Sequence, residues 1–115
     1  MAGTPRLVIL DDDPGVRLLL RNMAETSGWS VEHGSCASDV AHALPYADVV
    51  TLDVHLESET GLDVLRRLRR EGNTVPVVML SGDERPSVEA EARAAGATHF
   101  VLKPFSVAAL SDVLD

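Results

Sequence analysis

The chain has 115 residues, of which 45% are hydrophobic, a length and composition typical of one globular domain rather than of a disordered segment. Its formal net charge of −8 argues against binding to the phosphate backbone of nucleic acids, which requires clustered lysine and arginine. The single cysteine, Cys36, excludes an internal disulfide and a cysteine-based metal site. No signal peptide or membrane-spanning run is visible, so we expect a cytoplasmic location and no membrane contact.

Short apolar runs recur along the chain and predict five strands, at residues 7–10, 29–33, 49–52, 76–80 and 99–102. The second run alternates polar and apolar residues, which indicates a half-buried edge strand. The first, third and fourth runs are almost continuously apolar, as expected of strands that are covered on both faces.

Amphipathic segments follow the strands and predict five helices. The first begins at Pro14 behind an Asp13 N-cap, and its buried face should be Val16, Leu19, Leu20 and Met23. A short second helix is predicted at 38–44, ended by Pro45. The third, closed by Gly72, buries its leucines and exposes a solvated face of arginines, at positions 66, 67, 69 and 70.

The fourth predicted helix, at 87–95, has a thin apolar face built mainly from alanine. A fifth helix, which Ser106 can cap, is predicted next, and its pattern is still running at Asp115, which suggests a truncated last helix and a downstream output domain. Strands and helices thus alternate five times. Crossovers of this length require parallel strands and right-handed connections, so we predict a single α/β domain with helices on both faces of its sheet.

Polar side chains stand at the end of nearly every predicted strand. Asp11 and Asp12 follow the first strand, Asp53 the third, Ser81 the fourth and Lys103 the fifth. Because the carboxyl ends of parallel strands meet at one edge of the sheet, we expect these residues to form one site centred on Asp53. Lys103 is the only cation expected at that edge.

Three carboxylates in one site repel one another, by about 3 kcal/mol for a pair ~5 Å apart at an effective dielectric near 20. A hard divalent cation such as Mg²⁺, which prefers oxygen ligands, would offset this repulsion. A carboxylate nucleophile, a metal, a lysine and a serine hydroxyl together suit phosphoryl transfer.

With these residues in this order, the chain resembles the response-regulator receiver domain of two-component signalling, as in the chemotaxis regulators. The matching pieces are Asp11-Asp12, Asp53, Gly61, Ser81-Gly82 and Lys103-Pro104-Phe105. The resemblance covers residues 1–115, which we therefore predict to be one receiver domain. It implies a flavodoxin-like (βα)5 fold with a five-stranded parallel sheet of order 2-1-3-4-5.

The resemblance also implies roles for individual residues. Asp53 would be the phosphoacceptor, taking its phosphoryl group from a histidine kinase or a phosphotransfer protein. Mg²⁺, with Mn²⁺ as an alternative, would be held by Asp11 through a water, and directly by Asp12, Asp53 and the backbone carbonyl of His55. The phosphoryl group would contact residues that follow the last two strands, namely Ser81, Gly82 and Lys103. The Lys103–Pro104 bond would be cis.

Signalling would follow from a change of surface rather than from turnover of a substrate, so the domain is not expected to be an enzyme in the ordinary sense. Phe100 would turn inward when Asp53 is phosphorylated. The fourth helix, fifth strand and fifth helix would then form the output surface. A phosphorylation-dependent homodimer is a further expectation, whereas direct nucleic-acid binding by this domain is not expected.

One departure and two alternatives remain at this point. Many receivers have proline where this chain has Glu57, and the acidic loop at residues 57–60 could slow attack by anionic phosphodonors or add an outer metal ligand. The first alternative is a phosphatase resembling the haloacid dehalogenases, with Asp11 as nucleophile. It leaves Asp53 without a role, and no acidic pair follows Lys103 to hold its metal. The second is a receiver-like module that binds partners without phosphorylation.

Overall fold

A computed structural model describes residues 3–104, together with 108 and 112. Its sheet has five parallel strands in the order β2-β1-β3-β4-β5, so the predicted strand order is confirmed. All five strands lie where the apolar runs predict them, within a residue or two at either end. They are β1 (Arg6–Leu10), β2 (Ser30–Gly34), β3 (Val49–Asp53), β4 (Val77–Ser81) and β5 (His99–Leu102).

Three α-helices connect these strands: α1 (Pro14–Thr26), α2 (Gly61–Arg70) and α3 (Pro86–Ala94). The first begins as predicted, because the Asp13 carboxylate accepts a hydrogen bond from the Gly15 N–H at 2.8 Å. None of the helices in the described part of the chain has the length and apolar character needed to cross a membrane. The predicted fifth helix lies outside the described residues, except for 108 and 112, which are both helical.

The hydrophobic core forms two layers, one on each face of the sheet. The layer under α2 and α3 includes Leu10, Val50, Leu52, Leu65 and Met79. The layer under α1 includes Leu7, Ile9, Leu20, Val78 and Leu80. Since each strand sends alternate side chains to opposite faces, the apolar runs supply both layers at once.

The helix predicted at 38–44 does not form, and that prediction was wrong. Its place is taken by two short 3₁₀ turns, Ala37–Val40 and Leu44–Tyr46. The Asp39 carboxylate accepts from the Ser35 N–H at 3.1 Å, a local bond that competes with a helical one, and Pro45 has no N–H to continue a helix. The apolar residues at this spacing are nevertheless buried, namely Ala37, Val40 and Leu44.

The buried face of α1 is narrower than its sequence predicts. Leu20 and Ala24 are buried, but Leu19 is 47% exposed, so the expectation that it faces the core was wrong. Residues one position apart on a helix point about 100° from each other, and the face centred on Leu20 leaves Leu19 at its flank.

Arg69 is also placed differently from the solvated helix face that the sequence suggests. It is partly buried and donates to two backbone carbonyls, that of Gly96 at 2.8 and 3.2 Å and that of Asn73 at 2.9 Å. Carbonyls beyond the last turn of a helix lack intrahelical partners, and a long guanidinium side chain can reach them. Arg69 thereby joins the C-terminal end of α2 to that of α3.

A substitution at Gly96 tests the contact of Arg69 with the C-terminal end of α3. Gly72 and Gly96 each follow a helix, and their φ angles are positive, at +80° and +108°. Alanine at either position therefore costs about 1 kcal/mol in backbone strain. A methyl group on Gly96 would lie 2.9 Å from Arg69 Nε, whereas one on Gly72 meets nothing within 4 Å. We expect Gly96→Ala to lower the free energy of unfolding by about 1 kcal/mol more than Gly72→Ala does, measured by urea denaturation. Equal losses would contradict the tight contact with Arg69.

Candidate functional site

The structure brings the three predicted carboxylates together at the C-terminal edge of the sheet. One carboxylate oxygen from each of Asp11, Asp12 and Asp53 lies within 4.8 Å of the others. Asp11 follows β1 and Asp53 ends β3, and these two strands are direct neighbours. Asp11 is fully buried and Asp53 is 4% exposed, while Asp12 faces solvent. An all-oxygen donor set with this much negative charge suits Mg²⁺ or Mn²⁺.

Lys103 provides positive charge to this cluster from the far side of β4. Its Nζ donates to Asp11 Oδ2 at 2.8 Å and to Asp53 Oδ2 at 2.9 Å. Burial lowers the pKa of Lys103, but the hydrogen bonds and charges of the two aspartates outweigh it, and the net pKa lies above the ordinary value. The lysine therefore stays protonated and holds the two buried carboxylates in place.

Asp53 is the strongly perturbed acid of the site. Burial raises the pKa of Asp53 to about 6, the Lys103 hydrogen bond opposes that rise, and the charge of Asp11 adds to it. The His55 N–H, which donates to Asp53 Oδ1 at 3.2 Å, also favours the ionised form. Without a metal, Asp53 is thus partly protonated near neutral pH, and a divalent cation would favour its ionised form.

The loop after β3 closes tightly around Asp53. His55 pairs with Thr60 in an antiparallel bridge, and the Gly61 N–H donates to the Val54 carbonyl at 2.7 Å. A methyl group on Gly61 would overlap the carbonyl oxygen of Asp53, so only glycine fits there. This explains why a glycine stands eight residues after Asp53.

The remaining predicted residues lie along the same edge in different settings. Ser81 ends β4, is fully buried, and accepts a hydrogen bond at Oγ from the Asp83 N–H at 2.9 Å. Within residues 3–104, no hydrogen bond joins Ser81 to Asp53. Gly82 is exposed beside it, and Phe100 is partly buried against the core layer under α2 and α3. The Lys103–Pro104 bond is cis.

A second cation lies at this edge, Arg17, which was not predicted from the sequence. Its Nη1 donates to the backbone carbonyl of Asp11 at 2.7 Å, and its Nε is buried without a hydrogen-bond partner among the described residues. The expectation that Lys103 is the only cation here was therefore wrong. The available signal was position: Arg17 lies four residues after the Asp13 N-cap, in the first turn of the helix that leaves the strand end.

The family model for the response regulator receiver domain matches residues 7–115 of the chain. The chain belongs to this family. Receiver domains are the phosphoacceptor signalling domains of two-component response regulators, so membership decides against the dehalogenase-like phosphatase with Asp11 as its nucleophile.

Individual relatives agree with this assignment. The chain is 35% identical over 107 residues to the response regulator MprA of Mycobacterium sp. strain KMS, covering 89% of this chain and 45% of the relative. It is 32% identical over 106 residues to the probable transcriptional regulatory protein TcrX of Mycobacterium tuberculosis, covering 88% and 44%. The chain thus spans less than half the length of either relative. The structure of the Vibrio cholerae chemotaxis protein CheY4 superposes with a TM-score of 0.88 at 25% identity, covering 97% of both chains.

The contact between Gly61 and Asp53 gives a first prediction for the receiver site. Gly61→Ala would force the added methyl into the Asp53 carbonyl, and we expect a loss of about 3 kcal/mol in the free energy of unfolding. Gly82→Ala is the matched control, because its methyl meets nothing within 4 Å. Denaturant unfolding of both variants measures the difference, and similar small losses would contradict the proposed crowding.

The raised pKa of Asp53 gives a second prediction, on how stability depends on pH. Because the pKa is about 6 in the fold against 3.8 ordinarily, the fold binds this proton more tightly than the unfolded chain does. The stabilisation of the fold by the proton bound to Asp53 is therefore fully present below pH 3.8 and is lost as the pH rises through 6. In metal-free buffer, Asp53→Asn should therefore be more stable than wild type at pH 7, by on the order of 3 kcal/mol, and should lose that advantage by pH 4. A stability difference that does not change with pH, measured by urea denaturation, would contradict the raised pKa.

Proposed function

We propose that this receiver domain is a phosphorylation-activated switch that accepts a phosphoryl group on Asp53 from the phosphohistidine of a kinase or phosphotransfer protein. The observation that carries the proposal is the position of Asp53. It is a buried carboxylate between Lys103 and two further aspartates, at the C-terminal edge of the sheet. A carboxylate in this setting is oriented, ionisable near neutral pH and next to a fixed positive charge.

In the proposed transfer, an ionised carboxylate oxygen of Asp53 attacks phosphorus, the P–N bond to the donor imidazole breaks, and the imidazole leaves with the electron pair. Asp11, Asp12, Asp53 and the backbone carbonyl of His55 would hold Mg²⁺ or Mn²⁺, which supplies neutralisation of phosphoryl charge when bound. Lys103 Nζ, already within 2.9 Å of Asp53 Oδ2, would pair with a phosphoryl oxygen.

Ser81 and Gly82 would serve the phosphorylated state. The Ser81 hydroxyl would exchange its bond with the Asp83 N–H for one with the phosphoryl group. Gly82, exposed beside Ser81 and without a side chain, would leave room for the phosphoryl group. Movement of Ser81 would make room for Phe100, which is only partly buried, to turn inward.

The output surface would lie on α3 and β5, together with the predicted fifth helix. α3 buries a single residue fully, Ala92, and elements with few buried apolar contacts shift at low cost. We propose that phosphorylation changes this surface for a downstream output domain or protein, or for a phosphorylation-dependent homodimer, and that the domain itself does not contact nucleic acid. The cytoplasmic location stays a prediction.

The direct test is intact mass after incubation with acetyl phosphate and Mg²⁺. Wild type should gain one phosphoryl group, Asp53→Asn none, and the control Asp63→Asn, which removes an exposed carboxylate of α2, the wild-type amount. Equal uptake by wild type and Asp53→Asn would place the acceptor elsewhere. If wild type gains nothing from acetyl phosphate or from a phosphorylated phosphotransfer protein, the domain acts without phosphorylation.

A further inference from the structure

The acidic loop that departs from the usual receiver pattern is tied to the segment after β2. Ser35 Oγ donates to Glu57 Oε2 at 2.9 Å, and the Ala37 N–H donates to Glu59 Oε2 at 2.9 Å. Each contact joins residues 22 positions apart. The 3₁₀ turn that begins at Ala37, where a helix was predicted, therefore supplies the backbone donor for this loop.

Glu59 uses its other carboxylate oxygen on α2. Arg67 Nη2 donates to Glu59 Oε1 at 3.0 Å, and the Glu59 side chain is only 22% exposed. A partly buried carboxylate that accepts from an arginine and a backbone N–H makes stronger bonds than an exposed surface pair. The Glu59 side chain thus links three parts of the fold through hydrogen bonds: its own loop, the 3₁₀ turn and α2.

Backbone hydrogen bonds within the loop connect Glu59 to the residues beside Asp53. The Glu59 carbonyl accepts from the Leu56 N–H at 3.2 Å, and the next residue, Thr60, pairs with His55. The His55 N–H in turn contacts Asp53 Oδ1. A fixed Glu59 side chain therefore fixes the backbone of His55 in relation to Asp53.

We propose that Glu59 is a positioning residue for the metal site. The hydrogen bonds that its carboxylate accepts from Ala37 and Arg67 hold the His55 backbone where the His55 carbonyl would serve as a metal ligand. The inference rests on the proposed Mg²⁺-dependent function and adds a residue that acts through another. The Glu59 carboxylate is engaged by Arg67 and by the Ala37 N–H, so it can act through the position of the loop, whereas Glu57 accepts from the neutral Ser35 hydroxyl and keeps its negative charge.

The test is the Mg²⁺ dissociation constant, obtained from the Mg²⁺ dependence of thermal unfolding. We expect Glu59→Ala to weaken Mg²⁺ binding about tenfold, the low end of the effect seen when a residue supporting a metal ligand is removed. Glu59→Gln should fall between wild type and Glu59→Ala, since its amide oxygen still accepts from Ala37 but carries no charge for Arg67. Phosphoryl uptake by Glu59→Ala should recover to the wild-type rate at saturating Mg²⁺.

Glu71→Ala is the matched control, because it removes an exposed carboxylate at the end of α2 and has no side-chain bond to the loop among the described residues. It should leave the dissociation constant within about twofold of wild type. If Glu59→Ala lowers stability without metal but binds Mg²⁺ as tightly as wild type, Glu59 is merely structural and the inference is overturned. If Glu59→Ala fails to fold, Glu59→Gln and Arg67→Gln decide in the same way. Absence of Mg²⁺ binding in wild type would instead overturn the proposed function.

Discussion

Three carboxylates, Asp11, Asp12 and Asp53, lie within 4.8 Å of one another where β1 and β3 end, and the site depends on how their mutual repulsion is offset. Lys103 donates hydrogen bonds to the two buried carboxylates, and Arg17 adds a positive charge that donates to the backbone carbonyl of Asp11. These cations do not fully offset the cost of the site, since burial, with the charge of Asp11 added to it, still raises the pKa of Asp53 to about 6. The fold thus carries a cost in its metal-free state that a divalent cation can relieve, which is a common trade of stability for function.

The topology creates this cluster, and close packing keeps it in place. Neighbouring parallel strands put Asp11 and Asp53 side by side, and a lysine two strands from β3 reaches both. Gly61 lets the chain return against the Asp53 carbonyl, and the loop between them aligns the His55 N–H with the Asp53 carboxylate. Because the backbone leaves no room for a side chain at Gly61, this contact fixes the main chain of Asp53, while Lys103 and the His55 N–H hold its carboxylate.

Sequence reasoning succeeded where the signal is local and the topology supplies the rest. Five apolar runs predicted the strands, and the polar residues at the ends of four of them were enough to predict which carboxylates converge. It failed where the deciding partner is distant in sequence. Arg69 is held by the Gly96 carbonyl, 27 residues away, and nothing near Arg69 announces that acceptor. The helix predicted at 38–44 has the right apolar spacing, but Asp39 and Pro45 favour 3₁₀ turns, and Glu59, 22 residues after Ala37, accepts a hydrogen bond from the first residue of the first turn. Arg17 was not predicted to be part of the site, because its acceptor is a backbone atom, the Asp11 carbonyl, which no sequence pattern indicates.

The most direct measurement is the free energy of unfolding as Mg²⁺ is titrated, for wild type and for Asp12→Ala. Asp12 is exposed, so its loss should cost the metal-free fold little while removing a carboxylate from the cluster. The account predicts that wild type gains about 2.7 kcal/mol at one hundred times its dissociation constant, and that Asp12→Ala gains much less at the same concentration. An equal gain in both proteins, or none in wild type, would contradict the claim that this carboxylate cluster is built to hold a divalent cation.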